Sequence, residues 1–289
     1  MKASTRTWLI IAVCLVVVGL IVFGVAAATK GFDWKKLQPA EMEEVTYPIE
    51  GEFNRIDIEV EVSKIELRIS EDGTARAECR ETEKLRHKVS VEDGTLKIVC
   101  RGSSNFLDNA FNFGVFQSPS VTVFLPRAQY DSLIVNSDTG SVDIPDGFSF
   151  SEVSIKADTG SVKLSGVSVS GKLTVKCATG SITLEDVKAG GVSAEANTGS
   201  VRLIRLSALG DLRVETDTGS ITFDEVDAFI IEATCDTGSI RGTLTNRMRF
   251  EADSDTGSVK VPESDPNGGI CVLHTDTGSI NISYAEGVN

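Results

Sequence analysis

Residues 131–144 read DSLIVNSDTGSVDI and residues 151–164 read SEVSIKADTGSVKL, and the likeness between the two decides the fold. Thr-Gly-Ser followed by Val or Ile occurs eight times, with its glycine at Gly140, Gly160, Gly180, Gly199, Gly219, Gly238, Gly257 and Gly278. The successive spacings are 20, 20, 19, 20, 19, 19 and 21 residues. Asp precedes Thr in six copies (Asp138, Asp158, Asp217, Asp236, Asp255 and Asp276), and Ala178 and Asn197 stand there in the others. Seven and five residues before each glycine the chain is apolar, as at Leu133 and Val135 or Val153 and Ile155. Three before it are the small residues Ser137, Ala157, Cys177, Ala196, Thr216, Cys235, Ser254 and Thr275. Two after it are Val142, Val162, Ile182, Val201, Ile221, Ile240, Val259 and Ile280. Alternation with period two on both sides of the glycine predicts two short strands per repeat, each with one buried face.

A unit of twenty residues is too short to bury that face alone, so it must stack on copies of itself. Stacking at the ~4.8 Å strand spacing puts Val on Val and Ile on Ile, and eight units then form a rod ~38 Å long. Glycine suits a corner of positive φ, and Asp, Asn or Ser beside it can accept bonds from turn amides. Weaker turn signals fall within repeats at Pro145-Asp146-Gly147 and Gly190-Gly191. The fold class predicted is all-β: a single-stranded β-helix, or β-solenoid, of about eight ~20-residue coils over residues 128–289.

Residues 46–127 are β-rich without the repeat and read as a hairpin-rich segment capping the solenoid. Ile56, Ile58, Val60 and Val62 alternate, and the phase slips at Ser63-Lys64 before Ile65, Leu67 and Ile69, which marks a bulge or a corner. Asp72-Gly73 and Asp93-Gly94 are hairpin turns, the second joining Val89 and Val91 to Leu96 and Ile98. Residues 120–126 (SVTVFLP) form a strand leading into the first coil. Residues 106–116 (FLDNAFNFGVF) are either a docking loop or a cover for the open end of the solenoid, and the cover is the reading adopted.

The start of the chain is of another kind. From Trp8 to Ala28 it reads WLIIAVCLVVVGLIVFGVAAA, without a charge. Twenty-one residues at ~1.5 Å span ~31 Å, the thickness of a bilayer core. Trp8 and Trp34 flank this run. It is longer than the apolar part of a usual signal peptide, so a retained single-pass anchor (residues 1–29 with the basic tail) is favoured over cleavage near Ala28. Lys2, Arg6 and the N-terminal amine balance Lys30, Lys35 and Lys36. The orientation therefore rests on the all-β region that follows, which places the bulk of the chain outside the cytoplasm, at the cell membrane. Residues 30–45 read as a juxtamembrane tether.

Composition excludes several functions. The net charge is −14, and residues 131–289 hold 24 acidic against 12 basic residues, so nucleic acid is not a partner. Outside the anchor there are five cysteines, an odd number, three of them in the repeat columns; they read as small core residues rather than a disulfide framework. Asp-Thr-Gly-Ser is also the signature of aspartic proteases, but their chemistry needs two such turns facing one another, whereas a fixed ~20-residue period lines them along one edge. Gly166 to Lys172 (GVSVSGK) resembles a phosphate-binding loop, yet Leu173 replaces its Ser or Thr and a strand follows. The only two histidines, His87 and His274, lie in unrelated strand contexts with no Cys or second His at ligand spacing. The sequence thus assigns no catalytic residue, no cofactor and no metal ligand. Stacking would bring Asp138 beside Asp158, and Asp217 beside Asp236, Asp255 and Asp276, ~5 Å apart. Such a row either recruits cations or, in the reading adopted, spends its carboxylates on turn amides and water.

A basic tail, one membrane segment, a β-rich stretch and eight Thr-Gly-Ser-Val/Ile repeats together resemble the bacterial membrane-anchored β-strand-repeat "putative adhesin" family. The SVTVFLP stretch at 120–126 and the Asp-Thr-Gly turns carry the resemblance. That family is of unknown function and related to toast-rack-like domains of cell-envelope stress proteins. The resemblance implies a β-helical extracytoplasmic domain without an assigned active site. The function expected is a non-enzymatic surface module, adhesin-like, whose partner is a protein or a cell-wall or surface polymer. The alternative is a scaffold or sensor of envelope stress acting through a membrane-protein partner, and an aspartic-protease-like enzyme is a distant third.

Overall fold

A computed structural model describes residues 41–83, 85–101 and 119–287, besides Gly19. The expected anchor at 8–28, residues 30–40 of the tether and the aromatic stretch 106–116 lie outside the described residues. No helix among the described residues is long and apolar enough to cross a membrane.

The described residues from 41 to 287 are all-β. Before the repeats come β1 (Glu43–Pro48), β2 (Arg55–Val62), β3 (Lys64–Ile69), β4 (Arg76–Glu81), β5 (Lys88–Glu92), β6 (Thr95–Cys100) and β7 (Ser120–Leu125). In the repeats a long strand alternates with a short one: β8 (Gln129–Thr139), β9 (Val142–Ile144), β10 (Ser149–Thr159), β11 (Val162–Ser165), β12 (Ser168–Thr179), β13 (Ile182–Glu185), β14 (Lys188–Thr198), β15 (Val201–Ile204) and β16 (Ser207–Thr218). The pattern then merges in β17 (Ile221–Thr237) and closes with β18 (Ile240–Leu244), β19 (Met248–Thr256), β20 (Val259–Lys260), β21 (Gly269–Thr277) and β22 (Ile280–Tyr284).

Parallel pairing between successive repeats builds a solenoid-like stack. Long strands pair with long strands, Val153 opposite Leu173 and Ile155 opposite Val175. Short strands pair with short strands, Val162 opposite Ile182. Each layer turns at three corners. The first is Thr-Gly-Ser. The second is a left-handed residue at Gly166, Asp186, Arg205 or Glu225, with φ of 62°, 53°, 47° and 54°. The third is a register shift within the long strand, as between Val169 and Lys172. Inside, one layer contributes Val153, Ile155, Ala157, Val162, Leu164, Val167 and Val169, all 2% exposed or less. Fully burying an aliphatic side chain contributes roughly 1.5–3 kcal/mol, so these columns hold the layers together. The predicted apolar columns are the ones buried. The exception is the last edge, where Val259 is 42% exposed.

Three local expectations change. First, the layers do not follow chain order at the ends. β21 pairs with both β17 and β19, so the last repeat inserts between its two predecessors. The connection of residues 261–268 makes this possible: Phe250 N donates to Ser264 Oγ at 2.9 Å and Asp265 N to Met248 O at 2.9 Å, covering the outer edge of β19. At the other end β2 pairs with β6 and β8, and β3 with β7 and β9, so β2 and β3 lie between the first repeat and the strands β6 and β7. Second, Asp93-Gly94 joins the antiparallel pair β5–β6, but Asp72-Gly73 closes no two-strand hairpin, because β7 lies between β3 and β4. Third, β1 starts at Glu43 and pairs antiparallel with β4, Val45 opposite Cys79, within the stretch read as a tether. Its short alternation, Val45 and Tyr47, is visible only against a partner.

The Thr-Gly-Ser corner is where the backbone has least room. Gly180 has φ +143°, and a Cβ there would lie 2.1 Å from Gly160 O, a backbone atom that cannot swing aside. We expect Gly180→Ala to cost about 3 kcal/mol or more in urea unfolding. Gly73→Ala, at a φ of +74° with nothing within 4 Å, should cost about 1 kcal/mol. Equal losses would show that close approach at the corner does not govern the stack.

Candidate functional site

Three features stand out from the columns. The first is the corner edge. Pairing of the strands on either side places Asp138 beside Asp158, and orders the other carboxylates Asp217, Asp236, Asp276, Asp255. All six are exposed. Among the described residues none of them bonds a turn amide, contrary to expectation, because the glycine amide donates along the stack instead: Gly140 N to Thr159 O at 2.8 Å, Gly160 N to Thr179 O at 2.9 Å. The glycine carbonyls are met from inside by the small residue three positions before the corner. Cys177 Sγ lies 3.0 Å from Gly160 O, Thr216 Oγ1 3.0 Å from Gly199 O, and Thr275 Oγ1 3.0 Å from Gly238 O. Because the six aspartates share one edge, they do not face one another across a cleft as shared-proton chemistry requires.

The second feature is the bulged face. Gly190 and Gly191 lie inside β14, at the register shift between Ala189 and Val192, rather than at a free turn. A Cβ on Gly190 would lie 2.6 Å from Ser170 O. Beside this floor, Leu209 is 84% and Phe229 66% exposed. Ala208 is opposite Ala228, so the two apolar side chains project from adjacent layers. A shallow groove of about 270 Å³, lined by Phe150, Val169, Lys188, Ala189 and Leu209 among others, runs next to them.

The third is a buried polar cluster where the glycine row ends. Val62 stands opposite Thr139, so Ser63 occupies the place of a corner glycine in its layer. Its outer side receives side chains from β4 and the segment after it. Glu81 and His87 are buried, with side chains 1% and 0% exposed. His87 Nε2 is 3.3 Å from Ser63 Oγ, and Nδ1 is 3.2 Å from Glu81 Oε2. Glu81 Oε2 also accepts from the His87 amide at 2.8 Å, and Oε1 from the Tyr47 hydroxyl at 2.9 Å. Ser63, His87 and Glu81 have the connectivity of a hydrolase triad. As folded they are not poised for that chemistry: Ser63 donates its hydroxyl hydrogen to Val62 O at 2.6 Å and is 1% exposed. Cys79 lies in the same cluster, its thiol, a Glu81 oxygen and a His87 nitrogen all within 4.8 Å of one another. Burial pushes the Cys79 thiol up to about 12, with the Glu81 charge adding to it, and holds Cys100 at about 11. Burial lowers the His87 pKa below its ordinary 6.5, against the opposing pull of Glu81.

The family model of Toastrack DUF4097 matches residues 53–286, most of the chain. The chain belongs to the Toastrack DUF4097 family. No curated protein matches it. Among solved structures, the toastrack chain is similar to a Parabacteroides distasonis ATCC 8503 protein described as a "putative lipid binding protein", at 19% identity over 84% of this chain and 97% of that one, with a TM-score of 0.52. It is also similar to a Bacteroides fragilis NCTC 9343 protein described as a "putative adhesin", at 17% identity over the same shares, with a TM-score of 0.49. At such identities the likeness is one of fold.

Sequence reasoning passed over the polar cluster of this toastrack domain. It took His87 as lacking a Cys at ligand spacing, and the fold brings Cys79 and Glu81 to it across a reversal of the chain. One signal was present: in RAECRE the strand alternation puts Ala77, Cys79 and Glu81 on the same, inward face, and an inward Glu needs partners. His87 also predicts a pH dependence. The folded state binds this proton less tightly than the unfolded chain does, so the stabilisation is complete above about pH 6.5 and is lost as pH falls through the lower folded-state value. The urea midpoint should drop between pH 7 and pH 5, and His87→Gln should flatten that limb; an unchanged limb in the variant would assign it to other groups.

Proposed function

We propose that this toastrack protein is a non-enzymatic binding module at the cell surface. In this reading residues 8–28 hold it in the membrane as a single-pass anchor, residues 30–45 are the juxtamembrane stretch, and residues 46–289 lie outside the cytoplasm. Residues 128–289 form about eight ~20-residue coils, closed at one end by residues 46–127. The partner is a protein or a cell-wall or surface polymer, as for an adhesin.

The observation that carries this reading is the apolar spot made by Leu209 and Phe229, the two most exposed large apolar side chains among the described residues. Two large apolar side chains left in water beside a groove are the kind of feature that marks a contact surface. Lys188 in the groove lining, with Lys172, Asp211 and Arg213 around a neighbouring groove, surrounds the spot with polar groups. Phe229 stands beside Leu209 rather than in a repeating aromatic ladder, so it suits a side chain or a small apolar group better than a stacked glycan chain.

Photo-crosslinking in intact cells tests the proposal, with the probe placed in turn at Phe229, at Asn136 and within residues 106–116. Capture of a surface protein or wall polymer from position 229, and not from 136, is the expected result. Capture of another integral membrane protein instead would replace the adhesin reading with that of an envelope-stress scaffold. Equal yields from 229 and 136 would remove the apolar spot as the contact.

A further inference from the structure

We propose that Cys79, Glu81 and His87 form a binding site for a divalent transition-metal ion of the zinc class. The three donors are a sulfur, a carboxylate oxygen and an imidazole nitrogen, all buried and mutually within 4.8 Å. This mixed set matches ions of borderline softness rather than magnesium or calcium, which take oxygen alone.

Hydrogen bonds hold the donors of the cluster in place. Val62 O is a carbonyl and can only accept, so the Ser63 hydroxyl is the donor in their 2.6 Å bond. Ser63 Oγ then faces His87 Nε2 as an acceptor, at 3.3 Å. His87 Nδ1 is turned to Glu81 Oε2 at 3.2 Å. Both atoms can ligate a cation placed between them. Two ligands at ~2.0–2.1 Å from one tetrahedral ion are themselves about 3.3 Å apart, close to the 3.2 Å between Nδ1 and Oε2. The sulfur of Cys79 supplies the third donor, within 4.8 Å of the other two. A buried thiol of high pKa becomes a thiolate once a metal coordinates it.

The surroundings have the features of an outer shell. Ser63 orients the imidazole through the nitrogen that would not bind metal, and Tyr47 holds Glu81 Oε1 at 2.9 Å, leaving Oε2 toward the site. Cys100 brings a second buried thiol to this end of the interior, where its strand pairs with β2 opposite Val60. An ion here ties β4, the segment at 82–87 and the Ser63 corner together, at the layer where the glycine row stops. Because the unfolded chain has no such site, binding stabilises the fold.

The test uses the full-length protein in detergent, stripped with EDTA and then loaded with Co²⁺ or Zn²⁺. Wild type should take up one ion per chain by elemental analysis. With Co²⁺ it should show a sulfur-to-cobalt charge-transfer band and the visible bands of a four-coordinate ion. Zn²⁺ at about a hundredfold excess over its Kd should raise Tm by about 5 °C or more. Cys79→Ser should lose the charge-transfer band, and Cys271→Ser, which alters a buried thiol at the far end of the stack, should keep it. A wild-type protein that retains no ion and shows neither band nor Tm shift overturns the proposal, whatever the variants do. So does a charge-transfer band of undiminished strength in Cys79→Ser.

Discussion

A backbone carbonyl fills the space where each corner glycine would carry a side chain, and the rest of the stack depends on that contact. Gly160 O lies 2.1 Å from the Cβ position of Gly180, and Gly180 O 1.9 Å from that of Gly199. The glycine amide donates to the threonine carbonyl of the adjoining layer, so the corner is both the closest approach and a hydrogen-bonded joint. Once corners are stacked, the register of every strand follows. A slip by one residue would turn the interior columns outward, and period-two burial forbids that. At Cys177, Thr216, Cys235, Ser254 and Thr275, three residues before a corner glycine, the hydroxyl or thiol completes the joint by meeting a glycine carbonyl of the neighbouring layer from within.

A parallel stack has two open ends, and the chain closes each by leaving its sequential order. At the C-terminal end the last repeat slides beneath its predecessor, and residues 261–268 cross the outer edge of β19, where Ser264 and Asp265 occupy its free amide and carbonyl. Acidic side chains at Glu251, Asp253 and Asp255 line the same strand, a charge pattern that discourages further pairing. At the other end antiparallel strands take over, with β4 and β1 flanking β7 and β5 flanking β6.

Where the glycine row stops, the interior changes character from aliphatic to polar. Ser63 has no corner glycine on its outer side, and Glu81, His87 and Tyr47 close the space with bonds to one another. Buried charge is tolerated there because each oxygen of Glu81 is engaged. The outer surface carries the opposite exception, Leu209 and Phe229 left in water on the bulged face. These two departures, polar within and apolar without, are where a regular stack gains chemical individuality.

The amino-acid sequence by itself determined the strands, the Thr-Gly-Ser corner and the inward columns, because all three are local: a period of two, a glycine that alone fits the corner, and a unit too short to stand alone. The slip at Ser63-Lys64 was likewise legible, since side chains change face there. What only the tertiary structure decided is which layer lies on which, and which residues meet at the ends. Insertion of the last repeat was marked in the sequence by no more than the 21-residue spacing before Gly278. The aspartate order and the bulge at Gly190-Gly191 had no periodic signal, and the alternation of RAECRE turned Cys79 and Glu81 inward without showing that His87 meets them. Each depends on which strand edges remain unpaired after the repeats have stacked, and that is a property of the assembled sheet rather than of any stretch of chain.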